Sequence, residues 1–298
     1  MTFLFILGGT LLFYLLFTLF STYIVQQFPR RPVVDPPDWG HVTDTHIPTV
    51  EGKMLEVWRI EPAGSARGTV VFAHGWGRNR DRMVARARLF GQWGFATIIH
   101  SARDHGKSSP RRFMNAVKFA EDIEAVLAWV REPVILYGHS AGAAGAIIAA
   151  NRNPAIVKVL FLEACYADTK EALLSLYRWV NSFFGMVCGP MILWWMNLFY
   201  KNKLKLVSPA RLAPLIKMPV MLIHGEKDRR FPLQFAQTLQ QKFAPGQAEL
   251  YVAKGAGHSD SSTTVGYPAA VRSFLEKNGL KLHAEAGESA TDGLYQHG

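Results

Sequence analysis

Residues 134–150 read Val-Ile-Leu-Tyr-Gly-His-Ser-Ala-Gly-Ala-Ala-Gly-Ala-Ile-Ile-Ala-Ala, an apolar, β-branched run that gives way within five residues to a helix of small side chains. The junction, Gly138-His139-Ser140-Ala141-Gly142, fits the pattern G-x-S-x-G, in which a strand breaks sharply into a helix and holds a serine hydroxyl at the tip. Glycine two places either side suits a strained turn, because a Cβ there would meet the neighbouring strand or an incoming ligand. Ser140 is therefore the candidate nucleophile. The competing reading is a tight turn with a solvent-facing serine.

A serine hydroxyl reacts poorly at neutral pH, so this reading requires a base, an acid to orient it and donors for a developing oxyanion. The chain has 298 residues, enough for one large α/β domain. Its net charge of +10 raises the question of an acidic partner. The basic residues are scattered over Arg78 to Arg88, Arg111-Arg112 and Lys201 to Lys205, without the interleaved aromatics of a nucleic-acid face. No nucleic-acid partner is expected; a cationic surface facing anionic lipid head groups fits better. Cys165 and Cys188 form neither a disulfide framework nor a metal-ligand spacing, and no cofactor or metal is expected.

From Thr2 to Phe28 no side chain is charged, and Phe3 to Val25 is almost wholly apolar, long enough to cross a bilayer as a helix. The start lacks a basic segment and the exit lacks small residues for cleavage, so an uncleaved anchor over 1–28 is preferred to a signal peptide. Arg30 and Arg31 follow at once, which by the positive-inside rule places the remainder on the cytoplasmic side of the cell's inner membrane. Pro29, Pro32, Pro36 and Pro37 make 29–40 a stiff extended linker.

A hairpin is expected around Glu51-Gly52-Lys53, followed by strands at Gly68–His74 and Phe95–His100 with a helix from Asp81 to Trp93 between them. Helix and strand then alternate through 115–130, 134–137, 141–151 and 157–162, which implies a doubly wound α/β sheet with right-handed crossovers. The rhythm breaks at about 165–207, where 172–180 and 190–200 read as aromatic-rich helices inserted over the mouth of a site. Strands resume at 219–224 and 248–253, with a last helix at 268–277; the tail 283–298 has no apolar period and is expected to be disordered. The globular domain is thus drawn at 41–282.

Strand-end loops carry Gly225-Glu-Lys-Asp228 and Gly257-His258, in the order Ser140, Asp228, His258 that G-x-S-x-G enzymes use. Together with His74-Gly-Trp-Gly77, these stretches make residues 42–280 resemble the α/β-hydrolase superfamily, in particular its serine esterases and acylglycerol or lysophospholipid lipases. The resemblance implies a mostly parallel sheet of the eight-stranded type with helices on both faces and a helical lid. It assigns attack to Ser140, proton transfer to His258 and orientation of the imidazole to Asp228, with the backbone N–H groups of Trp76 and Ala141 as the oxyanion hole. Glu163 and Asp168 remain alternative acids, and Asp228 has a competing role as a helix cap. Ser101-Ala-Arg-Asp-His-Gly-Lys-Ser108 is similar to the family's D-x-R-G-H-G-x-S loop but lacks its first acid and first glycine. His74, His105 and His224 are read as structural.

The expected activity is cleavage of a small-molecule or lipid carboxylic ester by a membrane-anchored serine hydrolase through an acyl-enzyme. The alternatives are a catalytically silent binding or scaffold protein, or the same triad acting on thioester, amide, peptide or carbon–carbon bonds. Oligomeric state is left open.

Overall fold

Among the described residues, eight strands form a single sheet, in the spatial order β1 (His41–Thr49), β2 (Lys53–Glu61), β4 (Ala96–His100), β3 (Thr69–Ala73), β5 (Val134–His139), β6 (Val157–Glu163), β7 (Val220–Gly225) and β8 (Ala248–Ala253). The computed structural model describes residues 1–201 and 207–280; the expected disordered tail from His283 and residues 202–206 of the expected lid lie outside the described residues. Strands β1 and β2 make the opening hairpin, and β2 runs antiparallel to β4. From there β3, β5, β6, β7 and β8 are all parallel.

The parallel strands read as unbroken apolar runs because both faces of the sheet are covered. Val71, Ile98, Leu136, Leu160 and Leu222 point towards α3 (Ala116–Val130) and α4 (Ala141–Arg152). Phe72, Ile99, Tyr137, Phe161 and Ile223 point the other way, towards α2 (Val84–Gln92) and α10 (Tyr267–Lys277). The expected helix 81–93 begins one turn late. Asn79 accepts the Asp81 N–H and opens a 3₁₀ turn over Arg80–Met83 before α2 starts.

Among the described residues, the insertion after β6 holds three helices rather than two: α5 (Thr169–Val180), α6 (Ser182–Val187) and α7 (Gly189–Phe199). The additional α6 has a local cause, since the Asn181 side chain accepts the Phe184 N–H and restarts the helix. Gly185 is a close-approach residue here, because a Cβ on it would stand 2.4 Å from the Arg178 nitrogen. A short α8 (Pro209–Leu212) returns the chain to β7, and α9 (Leu233–Gln240) precedes β8.

Helix α1 (Thr2–Ile24) is, among the described residues, the one helix long and apolar enough to cross a membrane. Most of its surface is exposed, but Thr18, Ser21 and Thr22 are buried against the rest of the chain. The linker after it has no regular secondary structure, and it is tied down: Arg30 donates to the carbonyls of Gly106 and Ser108, and Asn79 donates to those of Arg31 and Pro32. The arginines are less of a surface feature than the sequence suggests. Arg80, Arg86 and Arg103 are buried and paired with carboxylates, so they add nothing to a cationic face.

Candidate active site

Ser140 sits between β5 and α4 with φ +55° and ψ −117°, a backbone conformation that only the surrounding structure can impose on a residue with a Cβ. Its neighbours explain how. A Cβ on Gly138 would lie 2.6 Å from Ala143 Cα, and one on Gly142 would lie 2.4 Å from the carbonyl oxygens of Ala73 and His74. Both glycines are therefore fixed by contact, and the turn between them projects the hydroxyl from the carboxyl end of β5.

His258 follows β8 and Asp228 follows β7, so both stand at that same end of the sheet. The His258 ring is 3.0 Å from Ser140 Oγ through Nε2 and 2.7 Å from Asp228 Oδ2 through Nδ1. Asp228 serves two purposes at once. Its Oδ1 accepts the backbone N–H groups of Arg230 and Phe231, while Oδ2 faces the imidazole. Burial raises the affinity of this carboxyl for a proton, but the hydrogen bond and charge of His258 outweigh it and hold its pKa below the usual aspartate value.

The alternative acids are occupied elsewhere. Glu163 is wholly buried, gripped by both ends of the Arg86 guanidinium and by the Tyr137 hydroxyl, which hold its pKa at about 2 against the desolvation that would raise it. Asp168 caps α5 through the N–H groups of Lys170 and Glu171 and accepts from Ser208.

A family model described as serine aminopeptidase, S33, matches residues 64–208. The uncharacterized protein YqkD of Bacillus subtilis is 23% identical over 77% of this chain and 78% of its own. The monoacylglycerol lipase of Mycolicibacterium smegmatis is 22% identical, covering 69% of this chain and 85% of its own. Among solved structures, the Pyrococcus furiosus esterase Pf2001 superposes with a TM-score of 0.64 at 19% identity, over 84% of this chain and 99% of that one. The chain has the α/β-hydrolase fold.

In this α/β-hydrolase fold the loop after β3 lies against the elbow, since a Cβ on Gly75 would come within 3.1 Å of Ser140 Cβ. Two buried histidines clamp that loop. His74 accepts the Ala102 N–H at Nε2 and donates from Nδ1 to the Gly75 carbonyl; His105 accepts the Gly77 N–H at Nε2 and donates from Nδ1 to Arg103. Burial keeps both rings neutral, with the His74 pKa pushed down to about 4, and each clamp needs that neutral form because Nε2 must be an acceptor. Between the clamps, the N–H of Trp76 has no acceptor among the described residues, and neither has that of Ala141 at the first turn of α4. Both residues line the cavity that Ser140 and His258 face.

The loop of residues 101–108 keeps its place despite its departures from the family pattern. Asp104 takes the left-handed conformation at φ +68°, and the missing acid is compensated from β2, where Glu56 accepts the Ser101 hydroxyl.

The candidate site also contains residues whose place the sequence did not reveal. His139 donates to the His258 carbonyl at 3.0 Å, Arg82 and Arg86 donate to the Ser259 carbonyl, and Asp260 accepts the N–H groups of Gly257 and Ser259. The loop bearing the imidazole is thus held on every side. The only signal for Arg82 and Arg86 was their spacing of four, in line with Phe90, on the helix expected over 81–93, and a cationic run obscured it.

The cavity holds about 660 Å³ and runs from Ser140 between the sheet and the lid, walled by Leu173, Leu176, Tyr177, Met196 and Phe231. Its lining is mostly apolar, with Arg230 held over the Trp179 ring at the rim.

Proposed function

We propose that this chain is a membrane-anchored serine hydrolase that cleaves carboxylic esters with long acyl chains. The observation that carries the proposal is the hydrogen-bonded series Ser140–His258–Asp228, set on a strained elbow and facing a mostly apolar cavity. Ser140 Oγ attacks the ester carbonyl as His258 Nε2 removes its proton, and Asp228 holds the ring in the tautomer that leaves Nε2 free to accept it. The oxyanion forms against the N–H groups of Trp76 and Ala141, each worth on the order of 3 kcal/mol of barrier. His258 then protonates the departing alcohol, and a water activated by the same ring releases the acid from the acyl-enzyme.

The cavity favours an acyl ester over the peptide substrate that the name of the matching family model suggests. An aminopeptidase needs a carboxylate free to hold the substrate's ammonium group. Among the described residues, the one carboxylate in the lining is Glu121, and Arg103 already holds it. Apolar walls suit a hydrocarbon chain. The relatives' names, an esterase and a monoacylglycerol lipase, point in the same direction.

The proposal is tested by labelling the detergent-solubilised protein with a fluorophosphonate. Wild type takes up the probe and Ser140→Ala does not; equal labelling of the two would refute the assignment. A panel of esters with increasing acyl length should then show kcat/KM rising with length, and a preference for acetyl esters would overturn the acyl-chain reading.

A further inference from the structure

Helix α1 and the lid are joined through polar atoms in an otherwise apolar setting. The Tyr14 hydroxyl donates to the Val187 carbonyl at 2.7 Å, Trp195 Nε1 donates to Thr18 Oγ1 at 3.2 Å, and the Tyr200 hydroxyl donates to Gln26 Oε1 at 3.0 Å. Residues 14, 18, 22 and 26 repeat every fourth position and so form one stripe along α1 and the turn that follows it. This stripe faces the lid, while Phe3, Phe5, Leu12, Phe13, Leu16 and Phe20 face outward.

These contacts fix the depth of the lid. Tyr14 precedes the end of α1 at Ile24 by ten residues, or about 15 Å of helix, which is about half of a ~30 Å hydrocarbon core. If α1 spans a bilayer, the end of α6 that Tyr14 touches lies near the midplane, and the whole of α7 runs back along α1 towards the surface. A lid in that position must tolerate hydrocarbon, and its exposed surface does. Phe183 is 72% exposed, Trp194 54% and Phe199 57%, and no Asp, Glu, Lys or Arg occurs between Trp179 and Tyr200. Charge returns at both ends of this segment, with Arg178 before it and Lys201, Lys203 and Lys205 after it, as at an interface with anionic head groups.

We propose that α6 and α7 are immersed in the leaflet surrounding the C-terminal half of α1, and that the cavity takes its acyl substrate sideways from that leaflet at the seam between α1 and α7. Val25 and Gln26 just after α1, Met196 of α7 and Tyr200 just after it line the same cavity as Ser140, so the seam and the site share one space. Helix α1 is then a wall of the substrate path as well as a tether. The inference rests on the reading of α1 as a retained anchor and of the cavity as an acyl-ester site.

Immersion is measured on the full chain in nanodiscs of phosphatidylcholine and phosphatidylglycerol, taking the Trp194 contribution as the fluorescence difference between wild type and Trp194→Phe. Phosphatidylcholine brominated midway along its acyl chains should quench that contribution, and aqueous acrylamide should not. Quenching by acrylamide alone overturns the proposal, and so does protection from both quenchers, which would mean that a second copy of the chain covers this face. In a second arm, Phe183→Asp and Phe199→Asp, neither of which lines the cavity, should lower kcat/KM for a bilayer-borne long-chain ester by tenfold or more while leaving a soluble short ester unaffected. Equal losses on both substrates would sink sideways access yet leave the hydrolase reading intact. Failure of wild type to label with a fluorophosphonate would do the reverse, since the quenching result does not depend on activity.

Discussion

His139 Nε2 donates to the backbone carbonyl of His258 across 3.0 Å, so the residue before the candidate nucleophile holds the loop that carries the candidate base. The two ends of a proton transfer are thereby tied through a single side chain, and its pKa, pushed down to about 3 by burial, keeps it a neutral donor throughout the physiological range. His139→Phe removes the donor at similar bulk. We expect kcat/KM and the rate of fluorophosphonate labelling to fall on the order of 10²-fold, as for a misplacement of about 1 Å. His139→Gln, which keeps an N–H, should recover part of the loss, and an unchanged labelling rate in the Phe variant would exclude the positioning role.

Asp228→Asn separates the two duties of that side chain. An amide oxygen can still accept from Arg230 and Phe231, so the melting temperature should change little, whereas kcat should fall on the order of 10⁴-fold because the wrong imidazole tautomer is favoured. Stopped-flow acylation and thermal melts on the same sample give both readings. A small kinetic effect would leave to Asp228 only the closing of the turn over Arg230 and Phe231.

Gly142→Ala places a methyl group 2.4 Å from two backbone carbonyl oxygens at the end of β3, where neither can rotate away. A destabilisation of about 1–3 kcal/mol is expected, together with loss of labelling, because the displaced strand carries the loop bearing Trp76. Chemical denaturation measures the first and the fluorophosphonate probe the second; a variant of wild-type stability would contradict the contact.

Acid should destabilise the protein progressively. His74, His100 and His139 have pKa values pushed down by burial to about 4, 3 and 3. Below about pH 6.5 the unfolded chain binds protons that these folded rings refuse, so stability falls as pH drops from about 6.5 towards 3. Glu163 adds to this from the usual glutamate value of 4.5 down to about 2, since the folded carboxylate stays ionised on Arg86 after the unfolded one has protonated. Melting temperature should therefore be flat above pH 7 and decline from there downward, and a maximum near pH 5 would be incompatible with these histidines.

Glu163→Gln leaves Arg86 buried without a counter-charge and should destabilise the fold by about 3–5 kcal/mol. It should also impair labelling, because Arg86 holds the Ser259 carbonyl beside His258. Urea unfolding of the variant checks the first effect and its labelling rate the second.

The strand-to-helix turn at Ser140, the alternation of helix and strand, and the hairpin at Glu51 were legible in the sequence because each is a local matter. Periodicity, side-chain bulk and a few glycines decide it within about ten residues. The order Ser140, Asp228, His258 was legible for a related reason: each residue lies just beyond a strand run, and parallel strands deliver their ends to one edge. What the sequence could not settle was which polar groups are spent on one another. Glu163 and Asp228 look alike in the chain, each following an apolar strand, and only in space does Arg86 take the first while His258 meets the second. The buried arginines, the extra lid helix α6 and the stripe joining α1 to α7 escaped for the same physical reason. A charge or hydroxyl declares its role through a partner far along the chain, 173 residues away for Tyr14 and Val187, and only the tertiary structure decides which partner that is.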